Sequence, residues 1–244
     1  MVDRENLETF RQWIEESERI VFFGGAGVST ESGIPDFRSV DGLYMQTYEY
    51  PPETIISHSF FKADPEYFFQ FYRTKMMPLD FEPNVTHRVL ASWEAEGKLS
   101  AVITQNIDGL HQKAGSKRVY ELHGTTLRNY CSWCKKEYPS DYLFENKDAV
   151  PKCDCGGMIR PDVTLYEESL SDEAVSGAIH AIASADMLII GGTSLRVYPA
   201  ASYVRYFRGK HLVVINREPL DVQLNQENDL FICGSLGEVF GEVI

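Results

Sequence analysis

The chain has 244 residues, of which 43% are hydrophobic, enough for a substantial core in one large domain with a smaller module beside it. Its formal net charge of −13 at pH 7 argues against binding nucleic acid through phosphate contacts. The polar, acidic N-terminal segment resembles neither a signal nor a transit peptide, and no apolar run approaches membrane-spanning length. We therefore expect a soluble cytoplasmic protein without a membrane partner.

The first half of the chain alternates between helix and strand patterns. Leu7, Phe10 and Ile14 recur at helical spacing and predict an amphipathic helix. The apolar run 19–23 predicts a buried strand that leads into a glycine-rich turn. The aromatic-rich segment from Tyr44 to Met77 is expected to be helical, and residues 87–96 and 100–104 predict a helix and a second buried strand.

The second half continues this alternation. Residues 187–190 and 211–216 predict buried strands, residues 229–232 a weaker one, and residues 172–183 and 200–207 predict helices. Strands that alternate with helices indicate an α/β fold with a doubly wound parallel sheet. The segments 44–77 and 126–162 break the alternation, so we expect them to pack together as a second lobe over the carboxyl edge of the sheet.

Four cysteines indicate a metal site. Cys131 and Cys134 form a C-x-x-C pair, and Cys153 and Cys155 form a C-x-C pair after eighteen intervening residues. Two such pairs can place four thiolates around one structural zinc. Two disulfides or four unlinked thiols are the alternatives, and the expected cytoplasmic location favours zinc. A closed four-sulfur site has no open position, so the chemistry must lie elsewhere.

The glycine turn after the first strand is a candidate phosphate-binding site. Gly25-Ala26-Gly27 resembles the start of a dinucleotide fingerprint, but Thr30 stands where the third glycine is expected. The acidic residue expected after a second strand is also missing, which argues against a hydride-transferring dehydrogenase. A glycine turn that opens a helix still offers backbone donors to a pyrophosphate, and a simple strand-to-helix turn remains the alternative.

Polar residues cluster after two further strands. Gln105, Asn106 and Asp108 follow the strand 100–104, at the edge where open α/β sheets bind ligands. Amide and carboxylate groups suit ribose hydroxyls and a carboxamide, although a capped loop entering a helix explains them equally well. His123 ends another short apolar run and leads into the cysteine module. It is a candidate base for a sugar hydroxyl, and a structural histidine is the alternative.

Taken together, the segments GAGVSTESGIPDFRS, TQNIDGLHQKAG, ELHGT, the paired cysteines, RPDV, GGTSLRVYPA and VVIN resemble the sirtuin family in order and spacing over nearly the whole chain. The resemblance implies an NAD-dependent protein deacylase with a large Rossmann-like domain and a small domain made of a helical module and a zinc ribbon. It implies a Rossmann-like domain of residues 1–37, 78–125 and 163–244, a helical module of residues 38–77 and a zinc ribbon of residues 126–162.

The resemblance also implies roles for individual residues. His123 matches the base that deprotonates a ribose hydroxyl after the acyl-lysine oxygen attacks the nicotinamide ribose, and Asn106 and Asp108 match the nicotinamide pocket. The implied products are nicotinamide, O-acetyl-ADP-ribose and free lysine. The full set of implied NAD contacts is Gly25, Ala26, Gly27, Ser29, Thr30, Asp36, Phe37, Arg38, Gln105, Asn106, Ile107, Asp108, His123, Gly192, Thr193, Ser194, Asn216, Glu218 and Cys233. The implied contacts to an acetylated protein or peptide are Val163, Thr164, Tyr166, Glu167, Leu195, Arg196 and Val197.

The chain departs from the family pattern in the peptide-binding segment. Family members commonly read R-P-x-V-V-x-F-G-E, whereas this chain reads R-P-D-V-T-L-Y-E-E from Arg160 to Glu168. Thr164 replaces a valine and Glu167 replaces a glycine. An exposed carboxylate on Glu167 is expected to favour peptides with a nearby Lys or Arg.

We weigh three alternatives to a monomeric deacetylase. Removal of longer acyl groups by the same scaffold stays open. Acid-selective sirtuins resemble one another in a tyrosine and an arginine three residues apart. The run Tyr48-Glu-Tyr-Pro51 lacks that arginine, so a preference for succinyl or malonyl groups is not expected. A zinc-ribbon protein that binds nucleic acid is disfavoured because residues 126–162 carry six basic and six acidic side chains. A dehydrogenase is disfavoured by the incomplete glycine fingerprint.

Overall fold

The computed structural model describes residues 3–36, 48–76, 80–220, 222, 224–225 and 227–243. A parallel sheet of six strands forms its centre, in the spatial order β3-β2-β1-β7-β8-β9. These strands are β1 (Ile20–Gly24), β2 (Leu99–Thr104), β3 (Val119–Glu121), β7 (Met187–Gly191), β8 (His211–Asn216) and β9 (Asp229–Cys233). Strands β1 and β7 are buried along their whole length, which explains their uninterrupted apolar sequences.

Helices cover both faces of the sheet. Helices α1 (Arg4–Glu16), α5 (Val85–Ala95) and α9 (Leu236–Glu242) pack on one face through side chains that include Phe10, Leu90 and Phe240. On the other face lie α8 (Asp172–Ser184) and a 3₁₀ helix, Ala200–Tyr206. Successive strands run outward from β1 in both directions, so β1 marks the point where strand order reverses. In such sheets, ligands bind outside the carboxyl ends of the strands at this point.

A second lobe combines the two segments that interrupt the alternation. One contributes α2 (Pro52–Ile55), α3 (His58–Ala63), α4 (Pro65–Phe71) and a π-helical turn, Tyr72–Met76. The other contributes an antiparallel sheet in the order β5-β4-β6, made of β4 (Gly124–Cys131), β5 (Glu137–Tyr138) and β6 (Ile159–Val163), and the short helix α7 (Tyr142–Glu145). Phe61, Phe68 and Phe69 pack with Cys131 and Ile159 in one shared core. The fold class predicted from the sequence is therefore confirmed.

The glycine turn differs from its prediction. It opens two short 3₁₀ turns, Ala26–Val28 and Thr30–Ser32, and not an α-helix. The second turn ends at Gly33, which adopts the left-handed φ of 92°, and Pro35 lies two residues further along the chain. Small residues such as Ser29 and Thr30 favour turns because their hydroxyls compete for nearby backbone groups, as Thr30 Oγ1 does by donating to the Gly27 carbonyl.

The start of α5 holds these turns in place. Asn84 caps α5, and its Nδ2 also donates to the Val28 carbonyl at 2.7 Å and to Ser32 Oγ at 3.0 Å. A single buried amide therefore links a helix of the sheet layer to the loop that follows β1. Within the described residues, none of the helices is long and apolar enough to span a bilayer.

Candidate active site

A cavity of about 960 Å³ lies between the two lobes, at the carboxyl ends of β1, β2, β7 and β8. Its walls come from the glycine turn, the loops after β2 and β7, His123, and the segment that follows β6. The volume suits a ligand of dinucleotide size. Its position is the one expected from the reversal of strand order at β1.

Two glycine turns meet at the floor of the cavity. The Gly27 amide donates to the Gly192 carbonyl at 2.7 Å, which joins the loops after β1 and β7. A Cβ atom at Gly25 would lie 2.9 Å from Thr193 Cβ, and one at Gly27 would lie 2.8 Å from Gly192 Cα. Only glycine fits this close approach. The floor of the cavity is therefore free of bulky side chains at these positions, so the phosphates of a dinucleotide can approach the backbone closely.

Two buried polar side chains, Ser29 and Asp108, form a network in the cavity with the half-buried Asn106. Ser29 Oγ donates to Asp108 Oδ2 at 2.6 Å, and Asn106 Nδ2 donates to Ser29 Oγ at 3.0 Å. The Leu110 amide donates to Asp108 Oδ1 at 2.9 Å. Burial raises the pKa of Asp108, and the hydrogen bonds from Ser29 and Leu110 oppose that shift. The network fixes one carboxylate and one amide at a site where a carboxamide can be recognised.

His123 presents one ring nitrogen to the same cavity. Its Nδ1 lies 2.9 Å from the Gln105 carbonyl oxygen. Because a carbonyl oxygen only accepts, Nδ1 carries the proton and Nε2 keeps its lone pair. Burial lowers the pKa of His123, and the bond to Gln105 opposes the shift. The ring is thus held neutral and oriented, as a general base near pH 7 requires.

The segment after β6 links His123 to the helical module. The Thr164 amide donates to the His123 carbonyl at 2.9 Å, and the Tyr166 amide donates to the Ile56 carbonyl at 3.1 Å. The Glu168 carboxylate accepts from both guanidinium nitrogens of Arg160, at 2.6 and 2.9 Å. Burial tends to raise the pKa of Glu168, but the hydrogen bonds, that of Arg160 first, outweigh it and lower the pKa to about 2.

The carboxylate of Glu167 has a partner within the protein. It accepts hydrogen bonds from Ser59 N and Ser59 Oγ, each at 2.9 Å. Ser59 lies in the first turn of α3. No local sequence pattern marks this contact, because 108 residues separate the two positions in the chain.

Most residues implied by the resemblance line this one cavity. Leu195 does not line it and packs against the sheet core, and Cys233 is exposed beside the Arg217 carbonyl. Phe37 and Arg38 lie outside the described residues. The implied residues that line the cavity are Gly25, Ala26, Gly27, Ser29, Thr30, Asp36, Gln105, Asn106, Ile107, Asp108, His123, Val163, Thr164, Tyr166, Glu167, Gly192, Thr193, Ser194, Arg196, Val197, Asn216 and Glu218.

Sequence reasoning missed several residues of the cavity wall. Glu31 accepts from Ser235 Oγ at 3.0 Å and from the Gly237 amide at 2.7 Å, which ties the loop after β1 to the start of α9. Tyr198 is 66% exposed and also lines the cavity. Glu31 lies inside the glycine-turn motif, so its position in the sequence could have identified it as a residue of the cavity wall. No sequence pattern marks its partner 204 residues away.

The four cysteines meet the requirements of a zinc site. Their Sγ atoms lie within 4.8 Å of one another, with Cys131 to Cys155 at 3.4 Å and Cys134 to Cys153 at 3.6 Å. A tetrahedron with zinc–sulfur bonds of about 2.3 Å has sulfur–sulfur edges of about 3.8 Å. The observed separations fit that geometry and are far longer than a disulfide bond of about 2.05 Å. The donor set therefore fits one zinc ion.

Comparison with known proteins gives a consistent result. The family model described as Sir2 family matches residues 25–199. An NAD-dependent protein deacetylase of Clostridium acetobutylicum is 52% identical over 243 residues, covering 98% of each chain. Another, from Clostridium perfringens, is 53% identical over 244 residues, covering 98% of this chain and 99% of that protein.

Solved structures agree over the whole chain. A Sir2 protein with a deacetylated p53 peptide and 3′-O-acetyl ADP ribose superposes with a TM-score of 0.88 at 37% identity, covering 97% of this chain and 96% of that one. A Sir2 complex with a p53 peptide and NAD+ gives a TM-score of 0.84, also at 37% identity and with the same coverage. The family match, the relatives and the shared fold lead to one conclusion: the chain belongs to the Sir2 family, the sirtuins.

Proposed function

We propose that this protein removes acetyl groups from lysine side chains of proteins in an NAD-dependent reaction. The products are nicotinamide, O-acetyl-ADP-ribose and free lysine. The observation that carries the proposal is the placement of His123 Nε2 and the Asn106–Ser29–Asp108 network in one cavity of dinucleotide size. The clostridial relatives bear the name of this activity.

NAD, when bound, supplies the ribose that accepts the acetyl group. The glycine turns at Gly25–Gly27 and Gly192 would lie beside the phosphates, with the Gly27 and Gly192 amides engaged in holding the two turns. Asn216 and Glu218 would receive the adenosine ribose. Asn216 Nδ2 already donates to the Glu218 carbonyl at 2.8 Å, so these two residues form one unit after β8. By resemblance, Phe37 and Arg38 belong to the same cofactor loop.

The inner end of the cavity holds the reactive groups. Asn106 and Asp108 orient the nicotinamide carboxamide, and Ser29 keeps both in place. His123 Nε2 takes the proton of a ribose hydroxyl, while the Gln105 carbonyl stabilises the Nδ1–H that then carries part of the charge. Because burial lowers the pKa of His123, the ring is available as a base at neutral pH.

The substrate is an acetylated protein or peptide that enters between two walls of the cavity. Val163, Thr164 and Tyr166 form one wall, and Arg196 and Val197 form the other. An extended peptide that adds to such a segment is recognised mainly through its backbone, so sequence selectivity is modest. The protein acts as a monomer and does not bind nucleic acid.

Zinc has a structural role in this proposal. Cys131, Cys134, Cys153 and Cys155 supply all four ligands and leave no open position for a substrate. The residue ranges expected for the Rossmann-like domain (1–37, 78–125 and 163–244), the helical module (38–77) and the zinc ribbon (126–162) are retained as a proposal.

The test is an incubation with NAD and a panel of acyl-lysine peptides, with free nicotinamide and peptide masses measured together. We expect equimolar nicotinamide and deacetylated peptide, and no NADH absorbance. The panel includes longer acyl groups because Ile56, Met76 and Ile107 give the cavity an apolar side. If a longer acyl group were removed faster than acetyl, that longer group would be the preferred substrate group. Release of NADH, or no reaction with any peptide, would overturn the proposal.

A further inference from the structure

Glu167 occupies an unusual backbone position in the peptide-binding segment. Its φ of 74° lies in the left-handed region, which a residue with a Cβ adopts at a disadvantage relative to glycine. Glycine is also the residue that the family pattern leads one to expect here. The presence of a side chain at this position is therefore accompanied by backbone strain.

The Glu167 side chain makes one well-defined contact. Both carboxylate oxygens bind Ser59, one through the backbone amide and the other through the hydroxyl, at 2.9 Å each. Next to this contact, the Tyr166 amide donates to Ile56 and the His58 amide donates to the Tyr166 carbonyl, at 3.1 and 3.0 Å. The peptide-binding segment is thus joined side by side to the start of α3.

The same segment is joined to the catalytic base at its other end. The Thr164 amide donates to the His123 carbonyl at 2.9 Å. Residues 164–167 therefore form a bridge with the helical module at one end and His123 at the other. Loss of the contact at Glu167 frees one end of this bridge, and that end is the one farther from His123. The loss should therefore weaken peptide binding more than it slows the chemical step.

We propose that Glu167 is a positioning residue for the acyl-lysine peptide: its contact with Ser59 latches the segment 163–168 to the helical module in the conformation that pairs with substrate. This inference rests on the proposed function. It stands beside the expected charge pairing between Glu167 and a basic substrate residue, because a carboxylate that accepts two hydrogen bonds keeps its charge and further acceptor sites.

Four variants separate the latch from the backbone strain. Glu167→Ala loses the carboxylate and keeps the strain, whereas Glu167→Gly loses both. Glu167→Gln keeps an acceptor for the Ser59 amide and is the conservative control. Ser59→Ala removes the hydroxyl from the other side of the contact.

We expect Glu167→Ala and Glu167→Gly to raise the KM for an acetyl-lysine peptide about two- to twelvefold, the range that corresponds to the net contribution of one hydrogen bond. The kcat and the KM for NAD should stay near the parent values, and Glu167→Gln should restore the parent KM. The double variant Ser59→Ala/Glu167→Ala should be no worse than Glu167→Ala alone, because both changes remove the same contact.

Amide hydrogen exchange without substrate gives a readout that does not depend on turnover. The Ser59 amide and residues 163–168 should exchange faster in both Glu167→Ala and Glu167→Gly than in the parent. Parent-like exchange and peptide KM in both variants would overturn the latch. If the parent itself consumed no NAD with any acyl peptide, the proposed function would fail, and the exchange comparison would still decide whether the latch exists.

Discussion

Gly124 connects the catalytic base to the peptide-binding segment, and its replacement by alanine is the most informative single change. The residue follows His123, pairs with Val163 at the start of β4, and has a φ of 76°. A Cβ atom at this position would lie 2.1 Å from the Asp162 carbonyl oxygen and 3.0 Å from its carbon. These atoms belong to the backbone and cannot rotate away.

Two effects add in Gly124→Ala. An alanine in the left-handed region loses about 1–2 kcal/mol relative to glycine, and overpacking against fixed atoms loses about 1–3 kcal/mol. The free energy of unfolding should therefore fall by about 2–5 kcal/mol. Gly97→Ala is a matched control, because Gly97 has a φ of 79° and nothing within 4 Å of its Cβ position. We expect the control to lose about 1–2 kcal/mol, the strain term alone.

Urea unfolding of both variants, together with deacetylation kinetics, measures the two effects. Gly124→Ala should also lower kcat/KM by about a hundredfold, since a small displacement of His123 is enough to misalign the base. Gly97→Ala should keep the parent activity. Equal stability losses in the two variants, with parent activity in both, would show that the close contact between β4 and β6 does not fix the site.

Three further predictions concern other parts of the structure. The purified protein should contain about one zinc per chain, and Cys153→Ser should lower both the metal content and the thermal stability; a folded, active protein without zinc would contradict the assignment. Ser29→Ala should weaken NAD binding, measured by titration, and lower the free energy of unfolding by about 1–3 kcal/mol, because buried Asp108 loses the hydrogen bond from the Ser29 hydroxyl. Parent-like NAD affinity and stability in this variant would show that the network is dispensable. Burial lowers the pKa of His87 to about 4 and that of His111 well below its usual value, so the unfolded chain, with histidine pKa values near 6.5, binds protons first as pH falls. The contribution of these two histidines to the free energy of unfolding should therefore be constant above about pH 6.5. Toward pH 4 it should fall by up to about 1.4 kcal/mol per pH unit for each ring. A urea midpoint that does not change between pH 7 and pH 5 would contradict this.

The elements of the fold that could be predicted are those whose buried residues form an apolar pattern within a short stretch of sequence. Strands β1, β2, β7 and β8 are apolar runs buried in the sheet, and α1 and α8 have clear helical periodicity. Strand β3 has only three residues, all half-buried, so no period is visible in it. Strands β4 and β6 carry polar residues such as Asn129 and Arg160, whose side-chain nitrogens donate to the Pro139 carbonyl and to the Glu168 carboxylate.

The candidate site shows the same division. Gln105, Asn106 and Asp108 could be found because they follow a strand that was itself predictable. The contacts of Glu167 with Ser59 and of Glu31 with Ser235 could not, because each joins segments that are distant in the chain. Cys233 was expected at the adenine end by resemblance, and this stays a prediction: its Sγ donates to the Arg217 carbonyl, and Arg217 and the adjacent Gly234 line the cavity.

The role of His123 is tested most directly by comparing the parent with His123→Ala, measuring nicotinamide release from an acetyl-lysine peptide and NAD binding in parallel. The parent should release nicotinamide only when both NAD and the acetylated peptide are present. His123→Ala should form no deacetylated peptide and should still bind NAD, because the imidazole is needed for proton transfer and not for affinity. Near-parent formation of deacetylated peptide by His123→Ala would contradict the assignment of His123 as the base.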